Sequence, residues 1–427
     1  MLAQALSRRF ADWGIHYGWA IVGVTFLVSL MTAGAMGLPG ALILPLSREF
    51  GWNTEQISGA LALRILLFGL MAPFAAALLN RYGLRNVTLA AQLIVVSALV
   101  ASLAMTKVWQ LMLLWGIVIG IGTGMTALVL GATIATRWFS ARRGLVVGIL
   151  TASVATGQLV FLPLLASLTE RFGWRIALAL ICVMLGVSAF AVLLIMRDRP
   201  SDVGLRPFGD AGTEPLPAPP ANTAPVMAAA LGTLREAAKT RVFWILFATF
   251  FICGASTNGL IQVHLIPMCL DFGIPQVQAA SLLAAMGVFD FFGTICSGWL
   301  SDRYDNRWLL FWYYGLRGLS LVFLPFTDFS FYGLSLFAMF YGLDWIATVP
   351  PTVRLTAQRF GPERANLVFG WVFAGHQLGA GAAAFGAGLS RTMLLTYLPA
   401  FFAAGALCFI AALIVLSIAR QPKPAVA

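Results

Sequence analysis

Twelve apolar stretches, each long enough for a transmembrane helix, follow one another along the 427-residue chain. A helix needs about 20 residues to cross the hydrocarbon core of a bilayer. Only 10% of the residues are charged, whereas soluble domains carry about 25%, so too few charges remain to cover a water-facing surface. We therefore predict an all-α membrane protein. Its transmembrane helices, spans 1 to 12, are expected at residues 17–45, 57–79, 87–106, 109–135, 143–168, 174–196, 242–269, 277–300, 308–325, 331–355, 365–388 and 394–419.

The basic residues are unevenly distributed between the segments that join the spans. If both termini lie in the cytoplasm, the cytoplasmic segments contain 20 of the 27 Lys and Arg residues. The positive-inside rule then orients the chain, and it accounts for the net charge of +11 without a nucleic-acid partner. We expect a multi-pass protein of the cell (inner) membrane with both termini cytoplasmic.

The two halves of the chain resemble each other at a fixed offset of 222 residues. Leu42–Gly51 falls on His264–Gly273, and Asn80–Tyr82 falls on Asp302–Tyr304. A duplicated six-helix unit is typical of secondary transporters that rock one half against the other. We predict two parallel six-helix repeats, at residues 1–196 and 242–427. A proline-rich cytoplasmic linker at 197–241 joins them and ends in an amphipathic helix near 231–240.

Spans 1 and 7 carry glycine-rich stretches at corresponding places, residues 33–40 and 253–259. Interrupted helices at matching positions of two repeats indicate a substrate site in transporters. We therefore predict breaks there, and Asn258 is a candidate contact of a polar substrate. Close helix packing by small residues is the alternative explanation.

Ionisable side chains inside the predicted spans are the strongest functional signals, because a charge at the bilayer centre costs about 2.5–3.5 kcal/mol. The second half contains four near the middle of its spans, and the first half contains one at depth. They are Asp290, Arg317, Asp344 and His376, which is followed by Gln377, and in the first half Arg64. We expect these residues to take part in substrate binding or proton coupling.

Two aspartates and one arginine in the second half allow one buried ion pair and one carboxylate left to carry a proton, since burial favours the neutral carboxyl. A purely structural salt bridge between Arg317 and Asp344 is the alternative. His264, near the outer end of span 7, is a candidate pH-sensing group, although capping of a backbone carbonyl is the preferred explanation.

Several classes of site are excluded by the motifs. The five cysteines all fall in predicted spans without metal-ligand spacing, so we predict no disulfide, metal or cofactor. The sequence contains neither a phosphate-binding Gly-Lys-Ser/Thr loop nor the pattern of a known hydrolase site. We therefore expect no enzymatic activity, and transport driven by an ion or solute gradient.

The loops after spans 2 and 8 carry the residues by which the chain resembles a known family. Asn80–Arg85 (NRYGLR) and Gly298–Arg307 (GWLSDRYDNR), together with Arg143–Gly148 before span 5, are similar to motifs of the major facilitator superfamily. Within it, the chain resembles the monocarboxylate and oxalate–formate porter branch. In that family the loop acid and arginines latch the cytoplasmic ends of the halves together. The resemblance implies a cytoplasmic gate made of Arg81, Arg85, Asp302, Arg303 and Arg307, with simple anchoring by positive charge as the alternative.

Two departures from the family pattern affect these expectations. Asn80 replaces the usual acid, so a latch in the first half has lost a charge. The resemblance implies that Asp290 takes part in coupling, but Thr294 stands where the family has a substrate-binding arginine. Arg317 on the next span is a candidate for the missing cation.

The leading hypothesis is a secondary active transporter of small organic anions such as monocarboxylates, coupled to protons and working as a monomer. One alternative is an exporter of larger amphiphilic compounds or a siderophore carrier, which the aromatic content of spans 7 to 10 would favour. A second alternative, from another class, is a non-transporting membrane receptor.

Overall fold

The computed structural model describes residues 2–212, 225–327 and 329–420. Within these residues twelve helical spans cross the molecule, which confirms the all-α membrane architecture. Their bounds are Gly18–Phe50, Thr54–Tyr82, Leu84–Ser102, Val108–Trp138, Arg143–Phe172, Trp174–Ile195, Arg241–Asp271, Gln276–Ser301, Asn306–Phe326, Phe331–Phe360, Ala365–Leu394 and Leu398–Leu416. Each boundary lies within one or two helical turns of its predicted position.

Ten of these spans are both long and apolar enough to cross a membrane by the composition of their described residues. Spans 5 and 11 fall outside that set, although each is 30 residues long. At 1.5 Å per residue they extend about 45 Å, more than the hydrocarbon thickness. Both of these spans pack against the opposite half of the molecule.

The two six-helix repeats pack mainly within themselves. Span 1 packs on spans 5 and 6 in the first repeat, and span 9 packs on span 12 in the second. The main contacts between the repeats join span 5 to span 8 and span 2 to span 11. Glycine permits this close approach, since a Cβ on Gly148 would lie 2.7 Å from the carbonyl oxygen of Thr294.

The predicted helix interruptions are found in one of the two places. Span 7 contains a π-helical segment, Ala255–Ile261, and such segments are frequent at functional sites. The prediction was wrong for span 1, which runs as a single helix from Gly18 to Phe50 through residues 33–40. Glycine and proline are tolerated in membrane helices when neighbouring groups keep the backbone hydrogen-bonded.

A pair of related breaks occurs instead in spans 4 and 10. Span 4 is interrupted between Met125 and Leu128, and span 10 between Asp344 and Val349. Thr126 and Thr348 lie in these two breaks and are separated by the 222-residue offset. The structural repeat therefore includes an irregularity that the sequence analysis did not identify.

The linker contacts both repeats on the membrane face that also carries the N-terminal helix Leu2–Asp12. We call this side the linker face. Phe208 pairs with residues at the end of span 4, since its N–H donates to the Trp138 carbonyl (2.8 Å) and its carbonyl accepts from the Ser140 N–H (2.9 Å). The linker helix, Val226–Ala237, packs on spans 2 and 11, and it begins five residues before the predicted stretch. Residues 213–224 of the predicted linker lie outside the described residues.

Candidate functional site

Arg317 and Asp344 form a buried ion pair between spans 9 and 10. The Arg317 Nε lies 2.9 Å from Asp344 Oδ2, and the two side chains are 0% and 8% exposed. The Arg317 Nη2 also donates to the backbone carbonyls of Asp344 (2.5 Å) and Trp345 (3.0 Å). These carbonyls lie where span 10 loses its helical hydrogen bonds, so the guanidinium satisfies acceptors that the break leaves open.

Cys253 of span 7 is part of the same cluster, and the sequence analysis did not select it. Its Sγ accepts a hydrogen bond from Arg317 Nη1 at 3.0 Å and lies 3.2 Å from the Thr348 hydroxyl. Arg317 therefore joins three spans through one side chain. Every nitrogen of its guanidinium has a protein partner, which leaves none directed at an open space.

Asp290 of span 8 lies beside this cluster but is held differently. The carboxylate is 1% exposed, and its Oδ1 accepts from the Thr294 hydroxyl (2.8 Å) and the Ile346 N–H (2.9 Å). Both donors are neutral. In the described part of the chain, the two aspartates therefore differ: Asp344 is paired with a cation, and Asp290 is hydrogen-bonded without one.

Arg64 of span 2 is buried without a counter-charge among the described residues. The residue is 6% exposed, and its Nη2 donates to the Met36 carbonyl of span 1 at 2.9 Å. Its Nε and Nη1 are also buried, and neither has a hydrogen-bond partner in the described structure. One helical turn further on, Phe68 contacts Phe373 of span 11, with ring centroids 5.6 Å apart. This contact brings span 2 against the other repeat, whereas the described contacts of Arg64 itself lie within the first repeat. Its guanidinium bonds to span 1, and its backbone packs against Gly120 of span 4.

His376 and Gln377 lie on span 11 at the same interface. His376 is 8% exposed and stacks on Phe373 at 5.8 Å, while its Nδ1 is buried with no described partner. The side chain of Gln377 packs directly on Gly69 of span 2. Gln377 therefore contacts span 2, whereas the His376 ring also packs against Phe250 of span 7, with centroids 5.0 Å apart.

Two further candidates lie apart from this cluster of buried charges. The His264 Nε2 lies 2.8 Å from the Ala384 carbonyl, and the ring contacts Tyr397. This is the geometry of the carbonyl cap that the sequence analysis preferred. Asn258 lies half-buried within the π-helical segment of span 7.

Asp302 connects the two repeats at the linker face. Its Oδ1 accepts from the Gly144 N–H (2.8 Å) and its Oδ2 from the Leu145 N–H (2.9 Å), both in the first turn of span 5. Its carboxylate also pairs with Arg354 of span 10. A carboxylate is stabilised at a helix N-terminus because the first N–H groups have no partner within the helix.

Asn80 occupies the position that corresponds to Asp302 in the first repeat. The Asn80 Nδ2 donates to Asn366 Oδ1 at 3.3 Å, and the Asn366 Nδ2 donates back to Asn80 Oδ1 at 2.8 Å. Arg137 Nη2 also donates to Asn80 Oδ1, at 2.7 Å. The 222-residue offset places Asn366 on Gly144, so the first repeat makes the same connection with neutral amides. Asn366 was missed by the sequence analysis, although this offset would have identified it.

The four loop arginines make local contacts instead. Arg81 lies over the Tyr82 ring (5.2 Å) and Arg303 over the Trp299 ring (3.9 Å). Arg307 pairs with Asp305 at 2.6 Å and donates to the Ile418 carbonyl. The backbone N–H of Arg85 donates to Asp198 of the linker at 3.0 Å. Asp302 therefore bonds to the other repeat, whereas the contacts described for Arg85, Arg303 and Arg307 lie within their own repeat or with the linker.

The aromatic side chains of spans 7 to 10 include many that point away from the bundle. Trp244, Phe292, Trp312 and Phe340 are 53–62% exposed. Lipid-facing aromatics of this kind explain the aromatic content without a large amphiphilic substrate.

Comparison with known proteins identifies the family. The sequence model of the Major Facilitator Superfamily matches residues 24–384 and again 265–427. The chain therefore belongs to the major facilitator superfamily of membrane transporters. Its relatives include monocarboxylate transporters, so the resemblance to that branch is supported.

Three similar proteins illustrate this relationship. The uncharacterized MFS-type transporter YcxA of Bacillus subtilis (strain 168) is 24% identical over 89% of this chain and 90% of its own length. Monocarboxylate transporter 11 of Mus musculus is 30% identical over 67% of this chain and 60% of its own length. The crystal structure of the human organic anion transporter MFSD10 superposes with a TM-score of 0.72, at 16% identity, over 93% of this chain and 99% of that one. The structural likeness shows the shared fold.

Proposed function

We propose that this transporter carries small monocarboxylate-like organic anions, that it is coupled to protons, and that it works by alternating access. The observation that carries the proposal is the buried guanidinium of Arg64, in which two nitrogens, Nε and Nη1, have no described partner. A buried cation is costly unless it is paired. A carboxylate substrate would supply the counter-charge and accept a hydrogen bond from one of these two nitrogens.

Asp290 is the proposed proton carrier. Its two described hydrogen bonds come from a hydroxyl and a backbone N–H, and neither requires the carboxyl to stay ionised. Burial without a cation favours the neutral form, so this carboxyl can hold a proton inside the membrane. Asp344 is tied to Arg317 and is the less suitable carrier.

Arg317 is assigned a positioning role under this proposal. Its contacts with Asp344, Cys253 and the carbonyls of span 10 hold the break next to Asp290, whose partner Ile346 lies within that break. The substrate cation is Arg64, with His376 and Gln377 on the facing span.

The linker face is proposed to be the cytoplasmic face, because the segments there carry most of the basic residues. The contacts of Asp302 and Asn80 then act as the cytoplasmic gate, and the two repeats at 1–196 and 242–427 rock about it while the linker at 197–241 keeps them joined. Both contacts are formed in this structure, so the linker face is closed and substrate would enter from the opposite face of the membrane.

The name of the mouse relative, a monocarboxylate transporter, supports the choice of substrate class. Uptake into proteoliposomes tests the proposal with a panel of labelled monocarboxylates, dicarboxylates and neutral solutes, with and without an inward proton gradient. We expect accumulation of a monocarboxylate that depends on the gradient. Flux that is absent for every acid would exclude the proposed substrate class.

A further inference from the structure

We propose that a cleft on the linker face binds a small oxyanion, a carboxylate or a phosphate group, at a site separate from Arg64. The cleft has a volume of about 240 Å³ and lies between spans 4, 5 and 10. Its lining includes two arginines, Arg143 and Arg354, and the exposed hydroxyl residue Ser140. The cleft adjoins the proposed gate, because Gly144 and Arg354 of its lining also contact Asp302. The proposed function gives no role to the side chain of Arg143.

Arg143 supplies the unsatisfied donors. Its Nε donates to the Phe139 carbonyl, which fixes the side chain against the end of span 4. Its two terminal nitrogens have no hydrogen-bond partner among the described residues, and the side chain lines the cleft. A guanidinium with both terminal nitrogens free presents a planar pair of donors that matches a carboxylate or a phosphate group.

The local charge balance favours an anion. The charged groups that act on Arg143 are Arg354, of like sign, and Asp302. Asp302 is already engaged by Arg354 and by the N–H groups of Gly144 and Leu145. Two cations therefore share one carboxylate, and one positive charge remains uncompensated beside the cleft. A bound oxyanion would neutralise it.

The contacts of Asp302 show that the groups beside the cleft bind a carboxylate. The protein's own carboxylate binds the first turn of span 5 together with an arginine of span 10. A ligand oxyanion at Arg143 would stand beside it, with the Ser140 hydroxyl as an additional donor. Two sources can supply such an oxyanion: dissolved anions and the headgroups of anionic lipids.

The test uses the purified full-length protein in nanodiscs of neutral phosphatidylcholine. Its melting temperature is titrated with sodium phosphate against sodium chloride of equal ionic strength, since a ligand that binds the folded state raises it saturably. We expect a saturable response that Arg143→Gln weakens about ten-fold or more, the value for a lost charge-assisted contact. Arg143→Lys should retain part of it. Arg364→Gln, which removes an exposed arginine of the same face, and Arg64→Gln should leave it unchanged.

Nanodiscs that contain anionic phosphatidylglycerol separate the two sources. If a lipid headgroup occupies the cleft, this lipid raises the melting temperature of the wild type but not of Arg143→Gln, and it removes the response to dissolved phosphate. If the source is a dissolved anion, the phosphate response persists in both lipids. Equal phosphate responses of wild type and Arg143→Gln in neutral nanodiscs, or a loss of the response in Arg364→Gln, would overturn the proposal. If Arg64→Gln keeps the phosphate response of the melting temperature, that response does not arise at the proposed substrate site.

Discussion

Asn80 and Asn366 exchange two side-chain hydrogen bonds, of 3.3 and 2.8 Å, across the interface between the two repeats. The related position in the second repeat holds Asp302, which binds the first turn of span 5 through its carboxylate. Among the described residues, Asn80 and Asn366 therefore connect the halves at the linker face through neutral groups, and Asp302 connects them through a charged one. This asymmetry follows directly from the replacement of an acid by Asn80.

The first prediction concerns that neutral contact. Asn80→Ala and Asn366→Ala should each lower the melting temperature, because each removes the two hydrogen bonds that the amides exchange between the repeats. The double variant should lose less stability than the sum of the losses of the two single variants, and the difference, the coupling energy, should be about 0.5–3 kcal/mol. A double-mutant cycle followed by thermal unfolding measures it. Asn86→Ala, which removes an exposed amide that donates to the nearby Tyr82 carbonyl, is the matched control. Strictly additive losses of stability would show that Asn80 and Asn366 are not coupled.

The second prediction concerns Arg64. Arg64→Gln should reduce anion uptake about ten-fold or more through loss of a charge-assisted contact with substrate. The same change should not lower the melting temperature, because it removes a buried charge that has no described counter-ion. Arg48→Gln, at an exposed site on span 1, is the control for both measurements. Normal uptake by Arg64→Gln would remove Arg64 from the pathway.

The third prediction separates a positioning role from a substrate-binding role for Arg317. Arg317→Gln should destabilise the protein by about 3–5 kcal/mol, because it leaves Asp344 buried and unpaired. The double variant Arg317→Gln/Asp344→Asn should recover most of the stability, since no lone charge remains. Uptake should recover together with stability if the pair only positions span 10. A stable double variant without any uptake would instead place Arg317 or Asp344 in direct contact with the transported species.

The fourth prediction is a pH dependence of linker docking through His16, which lies just before span 1. Its Nδ1 accepts from the Gly18 N–H (3.1 Å), and its Nε2 lies 2.9 Å from the Arg206 carbonyl of the linker. Burial lowers the pKa of His16 from its usual 6.5, although the hydrogen bond to Arg206 opposes this. The unfolded chain therefore binds a proton at a higher pH than the folded protein does. The stability that His16 contributes should be fully present above about pH 6.5 and should decline as the pH falls below that value.

Thermal unfolding between pH 8 and pH 5 checks this dependence, with His16→Gln as the comparison. The melting temperature of the variant should decline less steeply than that of the wild type below pH 6.5. Parallel curves for the two proteins would show that His16 does not report the docking of the linker.

The positions of the spans could be predicted because a membrane helix is defined by a local property, a long apolar run. The same applies to the depth of Asp290, Arg317 and Asp344. The sequence also indicated that one aspartate would pair with Arg317 and that the other would lack a cation. It could not identify the groups that hydrogen-bond to each carboxylate. The Arg317–Cys253 contact depends on how three helices are rotated about their axes, and the apolar runs carry little information about rotation.

Backbone irregularities were the least predictable feature. Residues 33–40 of span 1 contain three glycines and the π-helical part of span 7 contains one, yet span 1 continues as one helix. Local composition permits a break, but the hydrogen bonds offered by neighbouring spans decide whether one forms. Asn366 illustrates a signal that was present and unused, since the internal repeat pairs it with Gly144 at the start of span 5.

The most direct test of the proposed coupling compares wild type with Asp290→Asn in proteoliposomes that contain a transported monocarboxylate. Two fluxes are measured: accumulation driven by an inward proton gradient, and counterflow exchange of labelled for unlabelled substrate without a gradient. The asparagine cannot release or accept the coupled proton, so we predict that gradient-driven accumulation is lost while exchange continues. Undiminished accumulation in Asp290→Asn would contradict the account.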